Sequence, residues 1–559
     1  MTRRTRALFP AARRRALAAA SLCAVAACGG GDGAQGTKAA SNVKTFAGGP
    51  AGGTVIYLSD REPDNLNPLT FDSSPAFQVV HLLFRALARR DSTLSHYVPD
   101  LLERWEPGTA PNTLVLHVRH GLKWHDGVPV TAQDVVFTIQ MQQSAKIASP
   151  RKNDVQPVKS VSARDSFTVD VALDRPGIST VNALLEVVPV PKHLLEKVDP
   201  AQMRFAPFST RPVGNGLFRF EKWDRGQQLV VSANADAPEG RPALDRVVMR
   251  FVPDVNAAMT DLLAGNGDGM KVPADQKART RGIRTATLYN APRVRPAWIA
   301  WNVAKPPVDD PRVRRAVAMA INRPDVVQRV FGAEGEALLT PLPPRLAEHD
   351  PGVHPLPYDP VRAGAALDSA GWKDTNADGI RDKGGRPLRL TVEYNSGDQN
   401  RRDALVAMQA TLHQVGVDLQ LQPYESTTWV ERLRHRDFQG SFWGWGWGPG
   451  VLGPNAVVIW SSKSIPPNGA NFAGYANPKL DQLLDAVVVE SDPAKAKQLW
   501  TQIEQTVVDD AVYLPIYLDP EYYGVSSRIA NVKMRGIEWW EDIPYWYVPT
   551  DKRIARDGR

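Results

Sequence analysis

The 559-residue chain carries a formal charge of +7, from 67 Lys and Arg against 60 Asp and Glu. Its first 28 residues hold six arginines and no acid, so the remainder is left at +1, which removes the argument for a nucleic-acid or acidic-lipid partner. Both cysteines, Cys23 and Cys28, fall in that same stretch; the body has none for a disulfide and must rely on a large apolar core.

Arg3, Arg4, Arg6 and Arg13 to Arg15 form a basic n-region, and Ala16 to Ala27 a short apolar core. That core is too short for a permanent membrane helix and reads as an export signal. The ending Val25-Ala26-Ala27-Cys28 resembles a lipobox, in which Cys28 is lipidated and becomes the new N-terminus; an ordinary signal-peptidase site is the alternative. Residues 29–50 are rich in glycine, alanine and polar residues and read as a flexible tether. Globular patterning starts with a strand at Gly53 to Leu58. Leu114, Leu116 and Val118 share one face of another strand, and Phe167, Val169, Val171 and Leu173 one face of a further one.

Between these strands, Lys123 to Phe137 reads K-W-H-D-G-V-P-V-T-A-Q-D-V-V-F. It encodes a strand end, a turn at Gly127-Val128-Pro129, and a helix start in which Asp134 answers Thr131. Val135, Val136 and Ile139 supply the helix with a buried stripe. His125 beside Asp126 has no accompanying nucleophile motif, and reads as a locally bonded turn. Further on, Asp310-Pro311 opens a helix with Val313, Ala316, Val317, Ala320 and Ile321 on one stripe, and Asp359-Pro360 opens another that Gly371 closes. Strands and helices intermix throughout, which predicts α/β or mixed α+β layers in more than one domain.

The K-W-H-D-G stretch resembles a signature of the extracytoplasmic solute-binding proteins of peptide-type ABC importers, family 5. Other segments resemble the family in the expected order: Glu62 to Pro68, Tyr97 to Leu101, Val188 to Leu195, Pro212 to Phe220, Asp309 to Arg323, Asn471 to Tyr475 and Leu514 to Tyr517. The resemblance implies a two-lobed, periplasmic-binding-protein-like fold with a hinge, of the type II or cluster C kind. Residues 1–28 are then a lipoprotein signal peptide, 50–290 plus 515–559 lobe I, and 291–514 lobe II. Two chain crossings make the hinge on which the lobes close over a solute. The implied partners are a solute or peptide, a permease and an ATPase in the membrane, and the membrane itself through Cys28, the protein being a monomer on the envelope side. No G-x-x-x-x-G-K-[ST] loop is present, so ATP hydrolysis belongs to another subunit.

Ligand contact is expected first at Gly444 to Gly450, G-W-G-W-G-P-G, at the end of a strand-like segment in lobe II. Glycines such as Gly446 let backbone approach a solute, while Trp445 and Trp447 offer apolar faces with one N–H each. Asn215 lies in a turn between two glycines. Trp298, with Trp301 and Asn302, lies where the chain passes between lobes, and Tyr517 near the return crossing. Well-known peptide binders of the family carry an aspartate just after the G-W segment, where it pairs with the peptide α-ammonium. Here no carboxylate follows until Asp481, so either another acid serves, such as Glu62, Asp64 or Glu425, or the ligand is largely neutral.

Asp374 to Gly379 matches the first half of a calcium loop, but position twelve is Gly385 and no helix pair frames it, so it reads as a solvated turn. Ten scattered histidines without an H-E-x-x-H motif give no zinc site, and no cofactor is expected. The chain reads as a binder and not an enzyme. Capture of an opine, an oligosaccharide or a metal chelate is the alternative within the fold, and an exported hydrolase the alternative outside it, although no G-x-S-x-G elbow is present.

Overall fold

Thr54–Ser59 reads T-V-I-Y-L-S, with five of its six residues buried, a composition suited to a strand covered on both faces. It pairs in parallel with Arg246–Phe251 and Gly269–Val272 at the centre of a seven-stranded mixed sheet. The sheet runs, edge to edge, Ala286–Ala291, Glu521–Ser526, Gly269–Val272, Thr54–Ser59, Arg246–Phe251, Gln228–Ala233 and Phe218–Asp224. The structure, a computed structural model, describes residues 45–559 apart from 94, 95, 175, 176, 282, 292, 293, 447–451, 535–538 and 559. The leader, Cys28 and the tether up to residue 44 lie outside the described residues, as does Trp447. Among the described residues no helix is long and apolar enough to cross a membrane.

A four-stranded antiparallel sheet, Leu102–Pro107, Thr113–Val118, Thr168–Leu173 and Val158–Ala163, completes lobe I. Leu116, Val118, Val169 and Val171 are buried in its core as the alternation predicts, while Phe167 falls just before its strand and is only partly buried. Helix Ala132–Gln143 follows the K-W-H-D-G turn. Asp134, 4% exposed, is the knot of that motif: its carboxylate accepts from Thr131 N at 2.8 Å, from Lys192 N at 2.9 Å and from Trp124 Nε1 at 3.4 Å. A helix start, a turn and a distant loop are thereby joined through one buried acid. The His125-Asp126 pair is divided: His125 Nε2 lies 3.1 Å from Gly216 O, and Asp126 takes His193 at 2.8 Å.

Lobe II is built on a six-stranded sheet in the order Glu336–Ala337, Tyr513–Leu518, Pro296–Trp301, Gly440–Gly444, Arg389–Asn395 and Asp418–Tyr424. On one face lies helix Pro311–Ala320, its N-terminus capped by Asp310, which accepts from Arg312 N at 2.9 Å, and its predicted stripe buried. Asp359 caps Pro360–Ser369 in the same way. The opposite face carries Trp298, Trp443, Trp460 and Tyr513 under helices that include Pro478–Val489.

The return crossing differs from the expected boundary at 515. Pro515 lies inside Tyr513–Leu518, where it pairs with Trp298, so the strand stays in lobe II and the chain crosses at Asp519-Pro520. The next strand, Glu521–Ser526, inserts between two strands of the lobe I sheet. Asp268, fully buried, fastens this late strand to the first one. Its carboxylate accepts from Ile56 N at 2.9 Å, from Arg528 Nε at 2.7 Å and from Arg556 Nη2 at 2.7 Å. Asp557 in turn takes Arg528 Nη1 at 2.8 Å and Thr54 N at 2.7 Å. Removing Asp268 takes the carboxylate from the partly buried Arg556, leaves Arg528 with the Asp557 carboxylate alone and strips Ile56 N of its acceptor. Asp268→Ala is expected to cost about 3–5 kcal/mol, read as a lowered urea midpoint; a midpoint within error of wild type contradicts the assignment.

Candidate functional site

Gly440–Gly444 ends at the hinge. A side chain at Gly444 would meet Pro296 O at 2.8 Å, and Trp445 N donates to that same oxygen at 3.2 Å. Glycine therefore seats the G-W segment directly against the first crossing. An edge-to-face aromatic series leads there from the core: Trp298 to Trp443 at 5.4 Å and 87°, then Trp443 to Trp445 at 6.1 Å and 85°. Trp298 is fully buried and supports the series from below, Trp445 is half-buried, and Gly446 is exposed beside open space.

The remaining lobe II candidates lie apart. Tyr517, fully buried, is on the opposite face of the sheet against Phe331, with ring centroids at 4.9 Å, and its hydroxyl has no partner among the described residues. Burial pushes that hydroxyl pKa above the usual tyrosine range. Asn302 follows the far end of Pro296–Trp301 from the hinge and donates to Arg436 O at 2.8 Å and Phe438 O at 3.0 Å. The structure thus brings Trp298 and Trp445 together and sets Asn302 and Tyr517 elsewhere.

In lobe I, Asn215 is held because its flanking glycines pack on the C-terminal end of helix Ser74–Leu83; a side chain at Gly216 would meet Leu82 O at 2.7 Å. Its side-chain Oδ1 accepts from Arg85 N at 2.9 Å, leaving Nδ2 buried and without a partner among the described residues. Arg85 is paired with Asp100 and Glu239. Glu62 is engaged by its own lobe: it accepts from Trp223 Nε1 at 2.7 Å and Gly226 N at 3.3 Å. Asp64 accepts from Ser73 N and Oγ and from Arg204, and Glu425 caps its helix through Thr427 N and Thr428 N. Burial opposes the charge on Asp64, but the Ser73 and backbone hydrogen bonds prevail and lower its pKa.

Two features have no forerunner in the sequence motifs. Arg401, 7% exposed in helix Gln399–His413, pairs with Asp398 and donates to Asp519 at 3.2 Å, while its Nε has no partner among the described residues. Asp519 also lies 3.5 Å from Arg295, so both crossings carry this ion cluster. A cavity of about 440 Å³ adjoins it, lined by Asn290, Glu334, Arg345, Asp519, Pro520 and Lys533. The Asp374–Gly379 segment spends its carboxylates on its own turn, with Asp374 taking Gly379 N and Asp378 taking Ile380 N.

A second cavity, of about 350 Å³, is lined by lobe I residues that include His81, Arg90, Arg151, Asp154, Glu186 and Trp540. Burial pushes the Asp154 carboxyl up to about 6 against the pull of Arg151. It pushes Glu186 up to about 7 despite Tyr97 and Arg90, and His81 down to about 4. A carboxyl whose folded pKa exceeds its unfolded value binds its proton more tightly when folded. For Glu186 the stability this provides is full below pH 4.5 and lost as pH rises through about 7. Its side chain keeps 29% of its surface accessible, so solvent moderates the effect to roughly 1 kcal/mol. Glu186→Gln is therefore expected to gain stability over wild type between pH 5 and pH 8 by about that amount, measured by urea unfolding at both pH values. An unchanged difference contradicts the assignment.

The model of "Bacterial extracellular solute-binding proteins, family 5 Middle" matches residues 96–465. The oligopeptide-binding protein AppA of Bacillus subtilis (strain 168) is 29% identical over 516 residues, spanning 89% of this chain and 94% of that protein. Its structure in complex with a nonapeptide has a TM-score of 0.67 at 28% identity, over 89% of this chain and 99% of that one. The dipeptide-binding protein of Escherichia coli (strain K12) is 24% identical over 498 residues, 83% of this chain and 89% of that protein. The ABC transporter substrate-binding protein CtaP of Listeria monocytogenes shares the fold, with a TM-score of 0.78 at 22% identity over 89% of this chain and 99% of that one. With its motifs in order and the family model matched across both lobes, the chain belongs to the bacterial extracellular solute-binding proteins of family 5.

Proposed function

We propose that this protein is the substrate-binding subunit of a peptide-type ABC importer. It captures an oligopeptide-like solute between its lobes and presents it to a membrane permease driven by a separate ATPase. The observation that carries this reading is the joining of the two sheets by paired crossings, with Trp445 and the Arg401–Asp519 cluster at the joint. A hinge of that form lets an aromatic wall close over an extended chain. The Bacillus relative described in complex with a nonapeptide supports the size of solute.

The solute is held without an ammonium-binding carboxylate. Glu62, Asp64 and Glu425 are occupied within their own lobes, and Asp519 is balanced by Arg401 and Arg295. A buried ammonium facing only such engaged acids is costly. Backbone groups and indole faces then supply the affinity. We place the protein on the envelope side of the membrane, exported by its leader and held by lipid on Cys28.

Isothermal calorimetry with a panel of three- to nine-residue peptides, each free and N-acetylated, tests the binding mode. Acetylation is expected to change Kd less than about threefold, and Trp445→Ala to raise it at least about tenfold, the scale of a buried aromatic anchor. Loss of binding on acetylation removes the neutral-end reading, and no binding by any peptide removes the peptide reading. In a membrane fractionation of producing cells, Cys28→Ser is expected to move the protein from the membrane to the soluble fraction. Retention in the membrane refutes the anchor.

A further inference from the structure

The lobes also meet at a place that neither crossing supplies. Helix Ile178–Leu185 of lobe I points its N-terminus at the C-terminal end of helix Pro478–Val489 of lobe II. Ile178 N donates to Glu490 O at 2.9 Å. A helix leaves its first N–H groups and last carbonyls unsatisfied, with partial positive and negative charge respectively. One orphan donor here meets an orphan carbonyl region across the two lobes.

Gly177, the N-cap residue, is buried in this contact. Its φ of −56° and ψ of 153° are open to any residue, so backbone conformation does not demand glycine. Space does: an added Cβ would overlap the carbonyl oxygen of Val488 and crowd Val489 Cα. That oxygen belongs to main chain and cannot be moved by a side-chain rotation. By contrast, the other interlobe contacts around Glu334, to Arg281, Lys277 and Asn290, lie beside strand Ala286–Ala291 and the hinge.

We propose that Gly177 and Ile178 form the closure latch: their contact with residues 488–490 exists only when the lobes are shut, and it sets the population of the closed state. The idea rests on the reading of this chain as a closing solute-binding protein. Apparent affinity scales with the fraction of protein that can reach the closed state, so a change confined to the latch alters binding without touching the solute.

Two substitutions test it by different physics. Gly177→Ala inserts a methyl group at the contact. Ile178→Pro replaces the donor hydrogen with a ring carbon facing Glu490 O and trims the Ile178 side chain, while the helix itself tolerates it, because proline suits the first position of a helix and the extended Gly177 suits the residue before it. Spin labels on Phe205→Cys of lobe I and Val361→Cys of lobe II, 78% and 81% exposed, report the interlobe distance in a Cys28→Ser background. Distances are recorded on the purified protein with and without the tightest-binding peptide of the panel. Both variants are expected to lengthen the distance distribution with unchanged far-ultraviolet circular dichroism. Kd is expected to rise at least about tenfold for Gly177→Ala and at least about fivefold for Ile178→Pro, the loss of one hydrogen bond setting the lower bound. If Gly177→Ala fails to fold, Ile178→Pro decides alone. Wild-type distances and affinity in a folded variant overturn the latch. If no peptide binds even the wild type, the peptide reading has failed, and the latch stands or falls on the distances of the protein as purified.

Discussion

The molecule depends on the place where two strands of chain pass between its sheets side by side. Asp519 N donates to Arg295 O at 2.9 Å, so the outgoing and returning crossings are bonded to each other. The Asp519 carboxylate, between Arg401 and Arg295, ties both to a helix of lobe II. A single crossing would let the lobes swing and twist; two bonded crossings restrict them largely to opening and closing. Trp445 shares the same joint through Pro296 O, which places the aromatic wall at the pivot.

The motifs that identify the family are structural before they are functional. The K-W-H-D-G turn, the V-P-K-H segment and the P-V-G-N-G turn meet in lobe I through His125, Asp126, Asp134, His193 and Gly214. Each supplies one or two main-chain or carboxylate partners to the others. Their spacing along the chain differs, yet the buried Asp134 and the close glycines force them into one knot.

Local chemistry was legible and directional chemistry was not. Asp310, Asp359 and Asp134 announce helix starts because a cap and the N–H it satisfies lie within one turn. The Leu114–Val118 alternation names a buried face for the same local reason. Asn302, by contrast, follows a strand whose orientation relative to the hinge is decided by partners far along the chain, and it emerges at the end away from Trp445. Pro515 reads as a boundary but sits within a strand; the stronger signal was Asp519-Pro520, a breaker pair just beyond an unbroken apolar run. Arg401 stands in the first turn of a helix and looks like solvated charge. Its partner Asp519 is 118 residues away, and nothing local links them.

The position of Glu521–Ser526 has a consequence for biogenesis. This strand is interior to the lobe I sheet, yet it is made after the whole of lobe II. Until it arrives, Ala286–Ala291 and Gly269–Val272 have no common neighbour, and Asp268 lacks Arg528. Lobe I is thus barred from locking while most of the polypeptide is still being produced, and its contacts are of the long-range kind that form slowly. The sheet of lobe I therefore closes only once the last residues of the chain have been made, so its rigidity is a property of the finished polypeptide and of no shorter one.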